Sequence, residues 1–149
     1  MTTIKTFKGL EHRLEWVTKK QNIDYYNDSK ATNAIATITA IKALINQYEN
    51  IVLIAGGIKN QEDYSALFEL IDNHIPHVVL IGQSAKELGN NIHTAKVTYA
   101  NSMEAAVNIT NTLIDKGAIL LSPACASFDM FDDFEQRGDA FKRTIKDII

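Results

Sequence analysis

Three short apolar runs constrain the fold of this chain more than any other feature. Ile51–Ala55, Val78–Ile81 and Ala118–Leu121 are apolar at every position, as expected of strands that are buried on both faces. Stretches with apolar residues at helical spacing precede the first run, over Asn33–Tyr48, and separate it from the second, over Asp63–Asn73. This alternation predicts an α/β fold with a doubly wound, Rossmann-like, mostly parallel sheet and helices on both faces.

The other predicted elements surround this alternation. Aromatic and β-branched residues over Arg13–Lys20 and Ile23–Asn27 indicate an N-terminal β-hairpin. A further long helix over Met103–Lys116 is expected to stop at Gly117. The remaining elements are a short helix at Ala85–Leu88, a short strand at Lys96–Tyr99 and a last helix at Asp139–Ile149. We expect residues 1–149 to form a single domain.

Composition narrows the class of protein. A net charge of -3 and 22% charged residues argue against nucleic acid as a partner. The apolar runs are too short to cross a bilayer and there is no basic, apolar leader, so we expect no membrane insertion and no secretion. The only cysteine, Cys125, cannot form an internal disulfide, which favours a reducing, cytoplasmic location.

Polar loops follow the predicted strands. They are Asn27–Asn33, Gly56–Asp63, Gly82–Ser84 and Ser122–Phe134. In doubly wound folds ligands bind beyond the carboxyl ends of the strands. The sequence therefore predicts a binding site where these loops converge.

The loop before the first long helix is the richest in chemistry. It carries Asp28, Ser29, Lys30 and Thr32, and the helix is expected to start near Thr32 or Asn33. Backbone amides at a helix start attract anions, and a lysine beside hydroxyls adds to that attraction. Simple N-capping is the alternative, although a cap requires only one such side chain. We favour a site for a phosphate or carboxylate.

The Ser122–Phe134 loop allows two interpretations. The Ser127 hydroxyl and nearby amides could hold a carboxylate, or Ser127 could cap the next helix. Phe128, Phe131 and Phe134 have core-like spacing, and we expect two of the three in the core. Cys125 is expected to be a packed residue and not a nucleophile.

Two kinds of site are not predicted. Gly56-Gly57 is not a dinucleotide fingerprint and the chain has no phosphate loop, so we expect no autonomous ATPase. His74, His77 and His93 lack metal-ligand spacing, so no metal site is predicted.

The motifs of this chain resemble the C-terminal domain of the bacterial Mur ligase family over nearly its whole length. Where Ser29-Lys30 stand, members that add other amino acids have an aromatic residue and a histidine or asparagine. The resemblance is thus to members that add D-glutamate to UDP-N-acetylmuramoyl-L-alanine. The matching segments are Gly9–Glu15, Asp28–Asn33, Leu53–Gly57, Val79–Gly82, Ser122–Phe128, Phe131, Phe134, Glu135, Arg137-Gly138 and Phe141.

The resemblance implies a monomeric, three-domain, ATP-dependent ligase of peptidoglycan synthesis. In that family ATP phosphorylates the substrate carboxylate, and the amine of D-glutamate attacks the acyl phosphate. A separate N-terminal domain binds the UDP-sugar. The central domain holds the phosphate loop and the Mg²⁺ ligands, so the chain alone would be inactive.

The resemblance also assigns roles to residues. Arg13 and Asp28 would contact ATP, with Asp28 near the ribose, and Lys30 would be catalytic, near the phosphates or the acyl phosphate. The residues proposed to bind D-glutamate are Thr32, Ser127, Phe128 through its backbone amide, and Phe134. The family usually has a basic residue where this chain has Asn60, and we expect the preceding Lys59 to replace it.

Two other functions remain open from the sequence. A stand-alone, regulatory doubly wound module could bind a small anion or nucleotide without catalysis. A response-regulator-like phosphoacceptor is disfavoured, because Asp28 has no acidic neighbour after a central strand.

Overall fold

The structure, a computed structural model, describes residues 10–148. Gly9 and Ile149, which end two of the segments above, lie outside these residues. Its strands are β1 (Glu15–Lys20), β2 (Asn22–Asn27), β3 (Ile51–Gly56), β4 (His77–Ile81), β5 (Lys96–Tyr99) and β6 (Lys116–Leu121). Its helices are α1 (Ala34–Leu44), α2 (Ser65–His74), α3 (Ala85–Gly89), α4 (Met103–Leu113) and α5 (Phe134–Asp147).

The strands form one sheet in the order β1-β2-β6-β3-β4-β5. Strand β1 is antiparallel to β2, and the other neighbouring strands are parallel. Asn27 pairs with Leu121, and Leu121 pairs with Ile54, so β2, β6 and β3 end at the same edge. The predicted doubly wound, mostly parallel sheet and its N-terminal hairpin are confirmed.

Two apolar cores cover the two faces of the sheet. Helices α1, α2 and α3 pack on one face, around Leu53, Leu80 and Leu120. Helices α4 and α5 pack on the other face, around Ile54, Val79 and Ile119. Alternate residues of the central strands serve opposite cores, which is why these strands are apolar throughout. None of the helices within residues 10–148 has the length and apolar character needed to span a bilayer.

Two helix boundaries were predicted wrongly because of glycines. Helix α5 begins at Phe134, not Asp139, and Asp133 caps it by accepting the Gln136 N–H at 2.8 Å. Gly138 lies inside this helix. Glycine is needed at this position because a Cβ there would lie 2.2 Å from the His12 ring. Helix α4 ends at Leu113, before the predicted Lys116.

Gly117 does not stop a helix but belongs to β6. It has a φ of +134°, and a Cβ at this position would lie 2.1 Å from the Asn50 carbonyl oxygen. A left-handed backbone in such a tight position requires glycine.

The start of β1 and the end of α1 also differ from prediction. Strand β1 begins at Glu15, because Leu14 has a φ of 45° and its N–H donates to Asp28 Oδ1 at 2.9 Å. Helix α1 ends at Leu44, and the chain then turns so that the Tyr48 hydroxyl reaches Asp24 at 2.7 Å.

Candidate active site

The polar loops meet at the carboxyl edge of the sheet, as predicted. Backbone hydrogen bonds join them from one loop to the next. The Ala124 N–H donates to the Ala31 carbonyl at 2.9 Å, and the Ile58 N–H donates to the Ala126 carbonyl at 2.9 Å. The loops after β2, β6 and β3 therefore form one connected surface.

A cleft of about 600 Å³ opens between the start of α1 and the start of α5. Five of the eight predicted site residues line it: Arg13, Asp28, Lys30, Thr32 and Phe134. The Asn27–Asn33 and Ser122–Phe134 loops thus meet as predicted, and Arg13, which precedes β1, joins them in the same cleft.

The cleft holds two cationic side chains, Arg13 and Lys30. Within residues 10–148 neither the Arg13 guanidinium nor the Lys30 ammonium makes a hydrogen bond or an ion pair. The Lys30 Nζ lies 4.8 Å from the centre of the Phe134 ring, at cation–π distance. Two cations that make no ion pair among the described residues favour the binding of an anion in this cleft.

Asp28 lies at the base of the cleft and is 5% exposed. Its Oδ1 accepts the Leu14 N–H at 2.9 Å and its Oδ2 accepts the Ser122 hydroxyl at 2.7 Å. Burial raises the pKa of Asp28 to about 6, and its hydrogen bonds and the charge of Arg13 oppose that rise only in part. The carboxylate also fixes Leu14, next to Arg13, so it orients one wall of the cleft.

Helix α1 is capped by Asn33, not by the polar residues before it. The Asn33 side chain accepts the Ala36 N–H at 2.9 Å. Asp28 and Ser29 bind other groups, and the Thr32 hydroxyl makes no hydrogen bond within residues 10–148. Simple N-capping therefore does not explain Asp28, Ser29 or Thr32.

Ser127 and Phe128 lie on the neighbouring loop and do not line the cleft. Ser127 is 3% exposed, and its carbonyl accepts the N–H groups of Met130 and Phe131 in a tight turn. It does not cap α5, whose cap is Asp133.

The three phenylalanines differ from the prediction that two are in the core. Phe128 is 71% exposed, and only Phe131 packs against a core. Phe134 lines the cleft, with its ring edge-on to His12 at 6.0 Å. The spacing suggested a helix face, but Phe128 and Phe131 lie before α5 and Phe134 is its first residue, so one helical periodicity does not relate them.

Lys59 and Asn60 have separate surroundings. The Lys59 Nζ lies 4.8 Å above the Tyr64 ring and 3.7 Å from Glu87 Oε2. The Asn60 side chain instead donates to the Thr32 carbonyl at 2.7 Å. Lys59 thus faces α3, and Asn60 contacts the loop that carries the cleft residues.

A buried arginine joins the two main loops, and its role was not predicted. Arg137 is 1% exposed, and its guanidinium donates to the Ser29 hydroxyl, the Ser29 carbonyl and the Cys125 carbonyl at 2.7–3.0 Å. Burial lowers the pKa of Arg137 to about 10. The only signal in the sequence was its place among the matching segments.

His12 contacts the backbone of the loop that carries Lys30. Its carbonyl accepts the Lys30 N–H at 2.9 Å, and its Nδ1 lies 2.8 Å from Asn27 Nδ2. Since Asn27 Nδ2 can only donate, His12 Nδ1 accepts, and in the neutral ring Nε2 carries the proton.

The described histidines and the cysteine have structural surroundings. Among residues 10–148, Glu11, His12 and Asp139 bring possible metal ligands within 4.8 Å of one another. The protonated Nε2 of His12 and the Lys142 partner of Glu11 at 2.9 Å do not suit a cation. Cys125 is fully buried, and burial raises the pKa of its thiol to about 11, as expected of a packed residue. His74, His77 and His93 lie at a helix end, a strand start and the surface, respectively.

Comparison with known proteins assigns the family. Residues 12–125 match the family model described as Mur ligase, glutamate ligase domain. The chain belongs to the Mur ligase family. This match includes Arg13, the Asp28–Asn33 loop, Lys59 and Asn60, whereas Ser127, Phe128 and Phe134 lie beyond it.

Individual relatives agree with this family. The chain is 42% identical to a UDP-N-acetylmuramoylalanine–D-glutamate ligase of Caldanaerobacter subterraneus, over 99% of this chain and 33% of that protein. It is 41% identical to the enzyme of that name in Nitrosococcus oceani, over 100% of this chain and 33% of that protein. The chain therefore spans about a third of the length of these curated relatives.

Solved structures of the Mur ligase family share the fold. A murein peptide ligase from Psychrobacter arcticus superposes with a TM-score of 0.62 at 14% identity, over 95% of this chain and 31% of that one. At such low identity the likeness supports the fold alone.

Proposed function

We propose that this chain is the D-glutamate-binding part of an ATP-dependent ligase that joins D-glutamate to UDP-N-acetylmuramoyl-L-alanine. Its support is the name carried by relatives that are about 42% identical over nearly all of the chain. Those relatives are about three times longer, and we propose that the complete protein has further domains for the UDP-sugar and for the phosphate loop.

The observation that carries this proposal is a pair of cations in the cleft that make no hydrogen bond or ion pair within residues 10–148. Arg13 and Lys30 face an open volume of about 600 Å³ beside the start of α1. ATP, an acyl phosphate and D-glutamate are all anionic. Fixed positive charge stabilises such groups without reorganising during the reaction.

ATP is proposed to contact Arg13 and Asp28. The donors of Arg13 suit phosphate oxygens, and Asp28 has further lone pairs that could accept a ribose hydroxyl. When bound, ATP supplies the phosphoryl group that activates the substrate carboxylate. Mg²⁺ would be held by the central domain, outside this chain.

Lys30 is proposed as the catalytic residue of this part of the enzyme. Its ammonium would lie near the transferred phosphoryl group, where negative charge develops. The neutral amine of D-glutamate then attacks the acyl carbon and forms the amide C–N bond. Phosphate leaves with the electrons of the broken C–O bond, and the proton lost by the amine passes to the departing phosphate or to water. A cation near the leaving phosphate favours that step.

D-Glutamate is proposed to bind between the two loops that follow β2 and β6. Thr32 and Ser127 would donate hydroxyls to its carboxylates, and the Phe128 amide would add a further donor. Phe134 would line the pocket and Lys59 would supply charge. The hydrogen bond between Ala124 and Ala31 holds these loops together.

The complete protein is proposed to be a cytoplasmic monomer whose domains close over these substrates. A stand-alone regulatory module is not favoured, because the relatives of this chain are ligases. Arg13 lines the cleft, and a neighbouring domain would present its nucleotide there.

The test is a substrate panel with the full-length protein. Phosphate release with UDP-N-acetylmuramoyl-L-alanine, ATP and Mg²⁺ should require D-glutamate. L-Glutamate, L-alanine and L-lysine serve as matched controls and should give no release above background. Release with one of these and not with D-glutamate would refute the assigned substrate.

A further inference from the structure

Asn60 connects three loops of the site through its backbone and side chain. Its Nδ2 donates to the Thr32 carbonyl at 2.7 Å and to Glu62 Oε2 at 2.9 Å. Its backbone N–H donates to the Tyr64 hydroxyl at 3.2 Å, and that hydroxyl donates to the Ala124 carbonyl at 2.6 Å. Asn60 thus ties the loop of Thr32 to the loop that leads to Ser127.

Glu62 completes this connection at the start of α1. Its Oε1 accepts the Ala34 N–H at 3.2 Å, while its Oε2 accepts from Asn60. The turn from Thr32 to Ala34 is therefore held at both ends, by Asn60 at its carbonyl and by Glu62 at its amide. The Thr32 hydroxyl itself makes no hydrogen bond within residues 10–148.

Asn60, and not the neighbouring Lys59, makes these contacts. The Thr32 carbonyl and the Glu62 carboxylate both accept, and the two amide protons of Asn60 satisfy both at once. Lys59 makes neither contact, since its ammonium lies beside Tyr64 and Glu87.

We propose that Asn60 is a positioning residue, which acts with Glu62 to hold the Thr32 hydroxyl in place for the carboxylate of D-glutamate. This inference rests on the proposed function. It assigns Asn60 no contact with the substrate, so its effect must pass through Thr32. Lys59 would act independently, as a charge.

The test is a double-mutant cycle in the full-length protein, read as the Michaelis constants for D-glutamate and ATP. Asn60→Ala should raise the constant for D-glutamate about tenfold, by misplacing one hydroxyl, and leave that for ATP within about twofold. In a Thr32→Ala background the same change should have little further effect, because the hydroxyl is already absent. Gln61→Ala, an exposed amide in the same loop, is the matched control and should change neither constant.

A second variant covers the case in which Asn60→Ala does not fold. Glu62→Gln places an amide donor against Asn60, so it should also raise the constant for D-glutamate, and again only when Thr32 is present. Lys59→Ala should raise it in both backgrounds.

Two results would overturn the inference while leaving the proposed function intact. One is an unchanged Michaelis constant for D-glutamate in Asn60→Ala and Glu62→Gln. The other is an equal rise with and without the Thr32 hydroxyl. If the unsubstituted protein does not ligate D-glutamate at all, the proposed function fails and the inference fails with it.

Discussion

Replacing Asp28 with asparagine should stabilise the folded chain above pH 6 while removing a carboxylate from the cleft. Asp28 is buried, and its pKa is raised from 3.8 to about 6 by burial. The folded chain therefore holds this proton more tightly than the unfolded chain. The resulting stability is fully present below pH 3.8 and is lost as the pH rises through about 6.

The magnitude follows from the two pKa values. Their difference corresponds to about 3 kcal/mol of unfolding free energy that is lost once the buried carboxylate is ionised. An asparagine can keep the hydrogen bonds. Its oxygen would accept the Leu14 N–H, and its amide would donate to Ser122, whose hydroxyl lies 3.0 Å from Thr37 Oγ1 as an alternative acceptor.

Urea denaturation of both forms of the 149-residue chain, followed by circular dichroism, measures this effect. The two forms should be equally stable near about pH 4, and Asp28→Asn should be more stable by up to about 3 kcal/mol at about pH 8. Other carboxylates titrate equally in both and cancel in the difference. A difference that is independent of pH, or a variant that is less stable at high pH, would show that folding does not raise the pKa of Asp28.

Three further substitutions or modifications test other parts of the structure. Arg137→Met should lower the free energy of unfolding by about 3 kcal/mol or more, since it leaves buried carbonyls without donors. Arg143 is exposed on the same helix, so Arg143→Met should change the free energy of unfolding little. Equal urea midpoints for the two variants would contradict the role of Arg137. Cys125, with its buried thiol and a pKa of about 11, should react with a thiol-specific reagent at neutral pH only after unfolding, and rapid labelling of the folded chain would show that the loop opens. In the full-length enzyme, Lys30→Ala should lower kcat about a hundredfold with smaller changes in both Michaelis constants, and an unchanged kcat would remove Lys30 from the chemistry.

The fold could be predicted from sequence because its signals are local. Strands such as Ile51–Ala55 are apolar at every position, and that pattern together with intervening helices implies a covered parallel sheet. The convergence of the carboxyl-edge loops follows from the same topology, which is why Asp28, Lys30, Thr32 and Phe134 meet. The place of Arg13 beside them was implied only by the family resemblance.

Details that depend on distant contacts could not be predicted. Gly138 looks like a helix boundary, but it lies inside α5. The residue is glycine because His12 packs against it. Arg137 occupies a helix whose sequence looks solvent-exposed, and its buried position depends on the carbonyls of Ser29 and Cys125. The role of Asn60 required knowing that Thr32, far away in sequence, lies beside it.

The proposed function requires that two loops of this chain bind D-glutamate while Arg13 contacts ATP. Its most direct test is steady-state kinetics of the full-length enzyme, varying D-glutamate and ATP separately. Thr32→Ala and Ser127→Ala should each raise the Michaelis constant for D-glutamate, by about ten- to a hundredfold for a lost charged hydrogen bond, and leave that for ATP nearly unchanged. Arg13→Ala should show the opposite pattern. An unchanged Michaelis constant for D-glutamate in both hydroxyl variants would show that Thr32 and Ser127 do not bind D-glutamate.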